Sequence, residues 1–317
     1  MHSDTSEPET SVACGFRESE FAPAESNRDD FHDRVLLGQK RMKTRRVVLA
    51  GLTRNIGDRV ERLRQRVERT ASHFADFRVV LFENDSGDDT ADRLRAWAGS
   101  DRRVHLLQQT FGDPVHPQAR DLQRVSRMAH YRDQYHRFIA ANFSDFEHVI
   151  VFDTDLAGGW SDAGIADSFG QASPWDVIGA NGIIYKRHRW HWNRYVQYDA
   201  WALRRRGSDT PLSTREANRL TWRRGEPLVA VNSCFGGLAI YRTEAFLAGR
   251  YAGGDCEHVT LHRDLRAHGY KECFLNPSQI VVYGRKRRTH DAAVAFAQSL
   301  LSRCGFKFEP VRFAGGS

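Results

Sequence analysis

The sequence predicts an α/β protein built on a doubly wound, mostly parallel, Rossmann-like sheet with a more mixed C-terminal half. Three observations carry that expectation. Short apolar, β-branched runs alternate with amphipathic stretches from residue 47 onward, the rhythm of a parallel sheet covered on both faces. At 317 residues, 40% apolar and 11% aromatic, the chain can bury a substantial core. One apolar run, VIVF, ends abruptly in Asp153 and Asp155, one residue apart.

Residues 1–44 are rich in Ser, Glu, Asp and Pro without an apolar period, and are expected to form a disordered or loosely attached tail. The folded domain is expected over 45–317, with a nucleotide-binding half at about 45–160 and an acceptor-binding half at about 161–317. Its first strand is VVLAGL (47–52), short and β-branched as a buried strand should be. A helix follows, because Ile56, Val60, Leu63, Val67, Ala71 and Phe74 recur at helical spacing beneath an Arg/Glu outer face. RVVLFE (78–83) is a second strand. It runs into NDSGDDT, whose residues suit a turn and a helix cap before ADRLRAWAG. A longer helix is expected over 118–143, and then the strand HVIVFD. Later strands are expected at 176–180, 237–241 and 279–283, with helices near 257–268 and 291–303.

No run approaches the roughly 20 apolar residues of a membrane span, and the N-terminus lacks an apolar stretch after a basic start. Neither an integral membrane protein nor one led by a signal peptide is expected. The five cysteines form no CxxC pair, which argues against a zinc ribbon or a disulfide framework and for a reducing cytoplasm. The first thirty residues hold eight acidic and two basic side chains. Against a total of +7, the remaining chain therefore carries +13. That basic body suits an anionic partner such as a nucleotide, an acidic membrane surface or an acidic polymer; an Arg-rich solvated surface explains it equally.

In open α/β sheets ligands bind beyond the carboxyl ends of the strands, where Asp153 and Asp155 stand. Residues i and i+2 of an extended chain face the same side, so both carboxylates can address one ligand. Two clustered anions repel unless a proton or a cation relieves them, and a hard divalent ion with oxygen ligands does so. The alternative is that they simply cap the following turn.

Several segments resemble, in order, the motifs of GT-A nucleotide-sugar glycosyltransferases. FENDSGDDT is similar to the Asp-Asp-Gly-Ser-x-Asp-x-Thr turn after that family's second strand, with Ser86, Asp88 and Thr90 matching and Glu83-Asn84 standing at the acidic pair. MAHYRDQYHRF resembles the family's Arg-Asn helix, with Arg132 at the arginine and Asp133 in place of Asn. VNSCFGGLAIYR resembles its glycine turn and following strand. GDCEHVTLHRDL resembles the Glu-Asp-x-x-Leu helix start, with Glu257 and Leu261 matching and His258 where inverting members keep a catalytic aspartate. FENDS, FDTDL, CEHVTL and NPSQIVVY together resemble the cryptococcal-type capsular mannosyltransferases. The resemblance spans roughly residues 47–290.

The resemblance implies a metal-dependent hexosyltransferase, with retention, acting from a GDP- or UDP-linked nucleotide sugar, mannose being the family's lean. Asp153 and Asp155 would hold Mn2+ or Mg2+ against the diphosphate, with His290 as a further ligand. Thr53, Arg54, Glu83, Arg132, Asp153, Gly236 and Gly237 would contact the nucleotide sugar, Glu83 through the ribose. Glu257 would position or deprotonate the acceptor hydroxyl. Arg285 and Lys286 would close over the phosphates, or form a solvated charge run. Asn181, Asp199 and His258 would meet sugar hydroxyls, amid a region holding six of the seven tryptophans. The acceptor would be a glycan or lipid-linked glycan of a capsule or lipopolysaccharide, reached at the cytoplasmic face with peripheral membrane contact.

VIVFDTDLA also fits the opening of haloacid-dehalogenase-type phosphatases, with Asp153 as nucleophile and Asp155 as acid/base. It stands mid-chain, after two strand-helix units, and no later lysine and Asp-Asp pair follows convincingly. A nucleic-acid partner is not expected, since no helix-turn-helix, zinc or RNA-recognition signature accompanies the charge.

Overall fold

The computed structural model describes residues 16–115, 121–186 and 194–284. In chain order, short 3-10 turns aside, these form α1 (Arg28–Met42), β1 (Arg46–Thr53), α2 (Val60–Ala71), β2 (Asp76–Asn84), α3 (Thr90–Ser100), β3 (Val104–Gln109) and α4 (Leu122–Asn142). Next come β4 (His148–Asp153), β5 (Gly159–Trp160), α5 (Asp162–Gly170), β6 (Val177–Lys186), β7 (Arg194–Gln197) and β8 (Arg204–Arg205). The chain continues through α6 (Thr214–Ala217), β9 (Val229–Ser233), β10 (Leu238–Arg242), α7 (Thr243–Ala248), α8 (Glu257–Ala267) and β11 (Cys273–Gly284).

Sheet order is β3-β2-β1-β4-β10-β6-β11-β9-β8. The first four strands in that order run parallel. β10 then enters antiparallel between β4 and β6, while β6 and β11 pair in parallel. The expected α/β class is therefore observed, parallel in the first half and mixed in the second. The reversal of direction falls beside β4, which opens a crevice at that strand's carboxyl end.

Alternation divides the core into two layers. Val48, Ala50, Val149 and Val151 pack with α4 and α8, whereas Val47, Leu49, Ile150 and Phe152 pack with α2, α3 and α5. The parity of β4 thus directs Asp153, which follows Val149 and Val151, toward α4 and α8.

Each expected strand is present, although the strands expected at 176–180 and 279–283 are longer, Val177–Lys186 and Cys273–Gly284. The helix near 291–303 lies outside the described residues. The main correction concerns the tail. Residues 28–42, expected to be loosely attached, form α1 against α5. Arg34 Nε donates to the fully buried Asp167 at 2.7 Å, and a Cβ built on Gly38 would lie 1.7 Å from the carbonyl oxygen of Ala166. Close backbone approach at Gly38, in line with the buried Phe31 and Met42, seats this helix; a stripe so thin among charged residues is passed over by a hydrophobic-period reading. β3 was also missed, because its sequence VHLLQQ ends in polar residues.

Candidate active site

A cleft of about 580 Å³ opens at the carboxyl ends of β1 and β4, between α4, the start of α8 and the segment after β7. Arg124, Met128, Tyr131 and Arg132 line it from one face of α4, at the i, i+4, i+7, i+8 spacing of a helix stripe. Asp153, Thr154 and Asp155 come from the end of β4, Tyr198, Asp199 and Trp201 from the segment after β7, and Cys256, Glu257 and His258 from the start of α8.

Arg132 organises the floor. Its buried guanidinium sits 3.1 Å from Glu257 Oε1 and 3.3 Å from Asp153 Oδ1, and its Nη1 donates to Tyr135 OH at 3.1 Å. Arg132 is thus the best-buried cation of the cleft, 3% exposed. Burial nevertheless dominates at Asp153. It outweighs the pull of Arg132 and, with Asp155 and Asp199 adding repulsion, pushes the carboxyl up to about 8. Burial likewise pushes Asp199 up to about 6, although its carboxylate accepts from the backbone amides of Ala202 and Gly236 at 3.2 and 3.1 Å.

Asp155 is held differently. Tyr283 OH donates to its Oδ2 at 3.1 Å, and Tyr283 stacks on Tyr198 with ring centroids 3.8 Å apart and planes 14° off parallel. Both carboxylates offer the hard oxygen donors that Mn2+ and Mg2+ take, in a cluster whose repulsion a cation relieves. Among the described residues no group of three or more His, Cys, Asp or Glu side chains is placed to hold a metal ion. Two carboxylates fit the manner of binding in which one or two protein acids share the ion with phosphate oxygens of a ligand.

Thr53, Arg54, Arg132, Asp153, Asp155, Asp199, Glu257 and His258, all anticipated from sequence, line this one cleft. Thr53 is turned inward, its hydroxyl donating to Phe82 O at 3.0 Å. Arg54 donates to the carbonyls of Asp113 and Pro114. Four anticipated residues do not line it. Glu83 is 4% exposed and closes its own turn, accepting from Ser86 N and Gln108 Nε2 at 3.0 Å each; the neighbouring Asn84 faces the cleft instead. Asn181 is buried against β11, its Nδ2 donating to Pro277 O at 3.3 Å where the ladder bulges. Gly236 and Gly237 have φ of +65° and +87°. A Cβ on Gly236 would lie 2.1 Å from Ala180 O, so sheet packing accounts for that glycine. His290, Arg285, Lys286, Trp190 and Trp192 lie outside the described residues.

The sequence reading missed Tyr283, Phe235 and Cys256. Tyr283 was present only as the last letter of the strand QIVVY, and Phe235 as the residue before the glycine pair. Apolar and aromatic residues at strand ends carry no periodic signal that separates cleft wall from core.

No protein-family profile matches the chain, and no curated protein matches it by sequence. Among solved structures it is similar to a mannosyltransferase from Pyrobaculum calidifontis in complex with GDP-Man and Mn2+, at 16% identity over 90% of this chain and 76% of that one, TM-score 0.45. It is also similar to glucosyl-3-phosphoglycerate synthase from Mycobacterium tuberculosis in complex with Mn2+, UDP and phosphoglyceric acid, at 16% identity over 86% and 84%, TM-score 0.41. No helix of the described residues is long and apolar enough to cross a membrane.

Proposed function

We propose that the chain is a metal-dependent glycosyltransferase of the GT-A type, moving a hexose from a nucleotide-diphosphate sugar to a glycan or lipid-linked glycan acceptor at the cytoplasmic face. One observation carries the reading. Asp153 and Asp155 stand at the carboxyl end of β4, beside the sheet's change of direction, in a cleft they share with Arg132 and Glu257.

In this reading Asp153 and Asp155 hold Mn2+ or Mg2+. A divalent ion held there would supply charge neutralisation to a leaving diphosphate. Arg54 and Arg124 offer cationic donors along the same wall, suited to phosphate oxygens. Arg132, tied to Asp153 and Glu257, fixes the spacing between the metal side and the acceptor side of the cleft. Glu257 orients the acceptor hydroxyl, and Asp199 accepts from a sugar hydroxyl. His258 stands beside Glu257 where inverting members carry an aspartate, which favours retention. Mannose from GDP-mannose is the first donor to try.

The phosphatase reading is weaker on the same geometry. Asp153 is engaged by Arg132 at 3.3 Å, which ties its carboxylate to the floor of the cleft rather than leaving it free to attack. The described residues that line the cleft include no lysine.

The test is a thermal-shift panel of GDP, UDP and other nucleoside diphosphates with and without Mn2+, because a ligand that binds only the folded chain raises its melting point. One diphosphate should raise it only with Mn2+. A panel without any metal-dependent shift, or phosphate release from simple phosphoesters, would reject the glycosyltransferase.

A further inference from the structure

The three nitrogens of Arg132 serve three different partners. Nε donates to Glu257 Oε1 at 3.1 Å, Nη2 to Asp153 Oδ1 at 3.3 Å and Nη1 to Tyr135 OH at 3.1 Å. The third partner has no part in the chemistry assigned so far. Tyr135 stands about one turn further along α4, is fully buried and does not line the cleft. A phenylalanine would fill that space equally, so the hydroxyl needs its own explanation.

Its hydrogen bonds run in only one direction. A guanidinium has no acceptor, so the Tyr135 oxygen accepts from Arg132 and must send its own proton elsewhere. That proton goes to Tyr251 OH, 3.2 Å away. Tyr251, from the segment between α7 and α8, meets the Tyr135 ring edge-on at 6.1 Å and 83°, which fixes the acceptor in turn. Among the described residues Tyr135 OH has no other partner.

The consequence lies at Asp153. Arginine and carboxylate frequently close as a bidentate fork, with two N–H groups on the two oxygens. With Nη1 held by Tyr135, Arg132 engages Asp153 through Oδ1 alone, and Oδ2 accepts no hydrogen bond among the described residues. We propose that Tyr135, aimed by Tyr251, is a positioning residue: by occupying the third nitrogen of Arg132 it keeps that arginine on one oxygen of Asp153 and leaves the other for a divalent cation. Without the hydroxyl, Nη1 becomes a buried donor lacking a partner, and the free oxygen of Asp153 relieves it. Guanidinium and cation then compete for one carboxylate. The inference rests on the metal side of the glycosyltransferase reading.

Mn2+ titration of the full chain, read by electron paramagnetic resonance of the free ion, tests it. Tyr135→Phe keeps the ring and its contact with Tyr251, and should weaken Mn2+ binding about tenfold or more, as the loss of a group that orients a metal's ligands does. Tyr251→Phe leaves the Tyr135 oxygen in place and removes the acceptor of its proton. It should weaken Mn2+ in the same direction but less, and it decides the matter if Tyr135→Phe does not fold. The discriminating comparison repeats Tyr135→Phe on Arg132→Lys, whose ammonium has no fork to close on both oxygens. In that background the tyrosine's loss should leave Mn2+ affinity nearly unchanged. An equal loss in both backgrounds would make Tyr135 a packing residue, and wild-type affinity in Tyr135→Phe would show that its hydroxyl does not hold the arginine. Either result overturns the inference and leaves the glycosyltransferase standing. Wild type that binds no Mn2+ removes the metal site and the inference together.

Discussion

Arg132 and Glu257 lie 125 residues apart in sequence and meet at 3.1 Å in the floor of the cleft, where the same guanidinium reaches Asp153 at 3.3 Å. One cation thereby ties α4, α8 and the end of β4. Taking it away leaves a buried carboxylate without a partner, and breaking a buried pair in this way costs roughly 3–5 kcal/mol. Arg132→Gln should lower stability by about that amount in urea unfolding followed by far-UV circular dichroism. A loss below about 1 kcal/mol would show that water, not the arginine, satisfies Glu257.

Asp155 contributes less to the fold. Among the described residues the one hydrogen bond to its carboxylate comes from Tyr283, so Asp155→Ala should cost no more than about 1 kcal/mol. The same variant should lose the Mn2+-dependent rise in melting temperature and abolish hexose transfer. Retained turnover would place the cation elsewhere.

Tyr283→Phe removes the hydroxyl that donates to Asp155 and keeps the stack on Tyr198. Partners that orient a metal's ligands typically change affinity about 10–100-fold when lost. Mn2+ titration of the Phe variant, read by electron paramagnetic resonance of the free ion, should show weakening in that range with little change in melting temperature. Affinity equal to wild type would make the phenol a packing group only.

A separate prediction concerns pH. Burial, with Arg45 adding repulsion, lowers His148 from the ordinary 6.5 to about 4. Between those values the unfolded chain takes up a proton that the folded chain refuses. Stability from this group is therefore complete above about pH 6.5 and is lost as pH falls toward 4. Asp153 and Asp199, pushed up to about 8 and 6, act in the opposite sense, so the whole-protein curve mixes both. The comparison with His148→Phe isolates the histidine. The variant keeps the aromatic contacts to Phe169 and Trp175 and should lose less stability than wild type between pH 6.5 and 4. Parallel curves for the two proteins would contradict the shift.

Gly38 tests the attachment of α1. A Cβ there would meet Ala166 O at 1.7 Å, and a Cβ on Gly170 would meet Arg34 O at 1.9 Å in the same contact. Gly38→Val should push α1 off α5, visible as rapid protease cleavage within residues 28–42 while the sheet stays resistant. Equal protease resistance of the two proteins would mean that α1 tolerates a shift.

The amino-acid sequence determined the strands that reach the cleft and the residues at their ends. Apolar runs such as VVLAGL and HVIVFD can be satisfied only as buried strands, and alternation within β4 decides the face on which Asp153 emerges. The spacing of α4 likewise puts Arg132 on the same stripe as Met128 and Tyr131. These are local rules of period and parity, readable from one chain.

What the tertiary structure decided depends on long-range approach. Glu83 turned into its own hairpin of hydrogen bonds while Asn84 took the cleft, because Ser86 N and Gln108 Nε2 reach that carboxylate first. Asn181 went to a bulge in β11, and α1 found α5 through two glycines beside the buried Phe31 and Met42. His258 and His262 of α8 likewise differ in what the rest of the fold brings to their ring nitrogens: Tyr241 and Ser233 reach His262, no partner among the described residues reaches His258, and no neighbour in sequence records that difference.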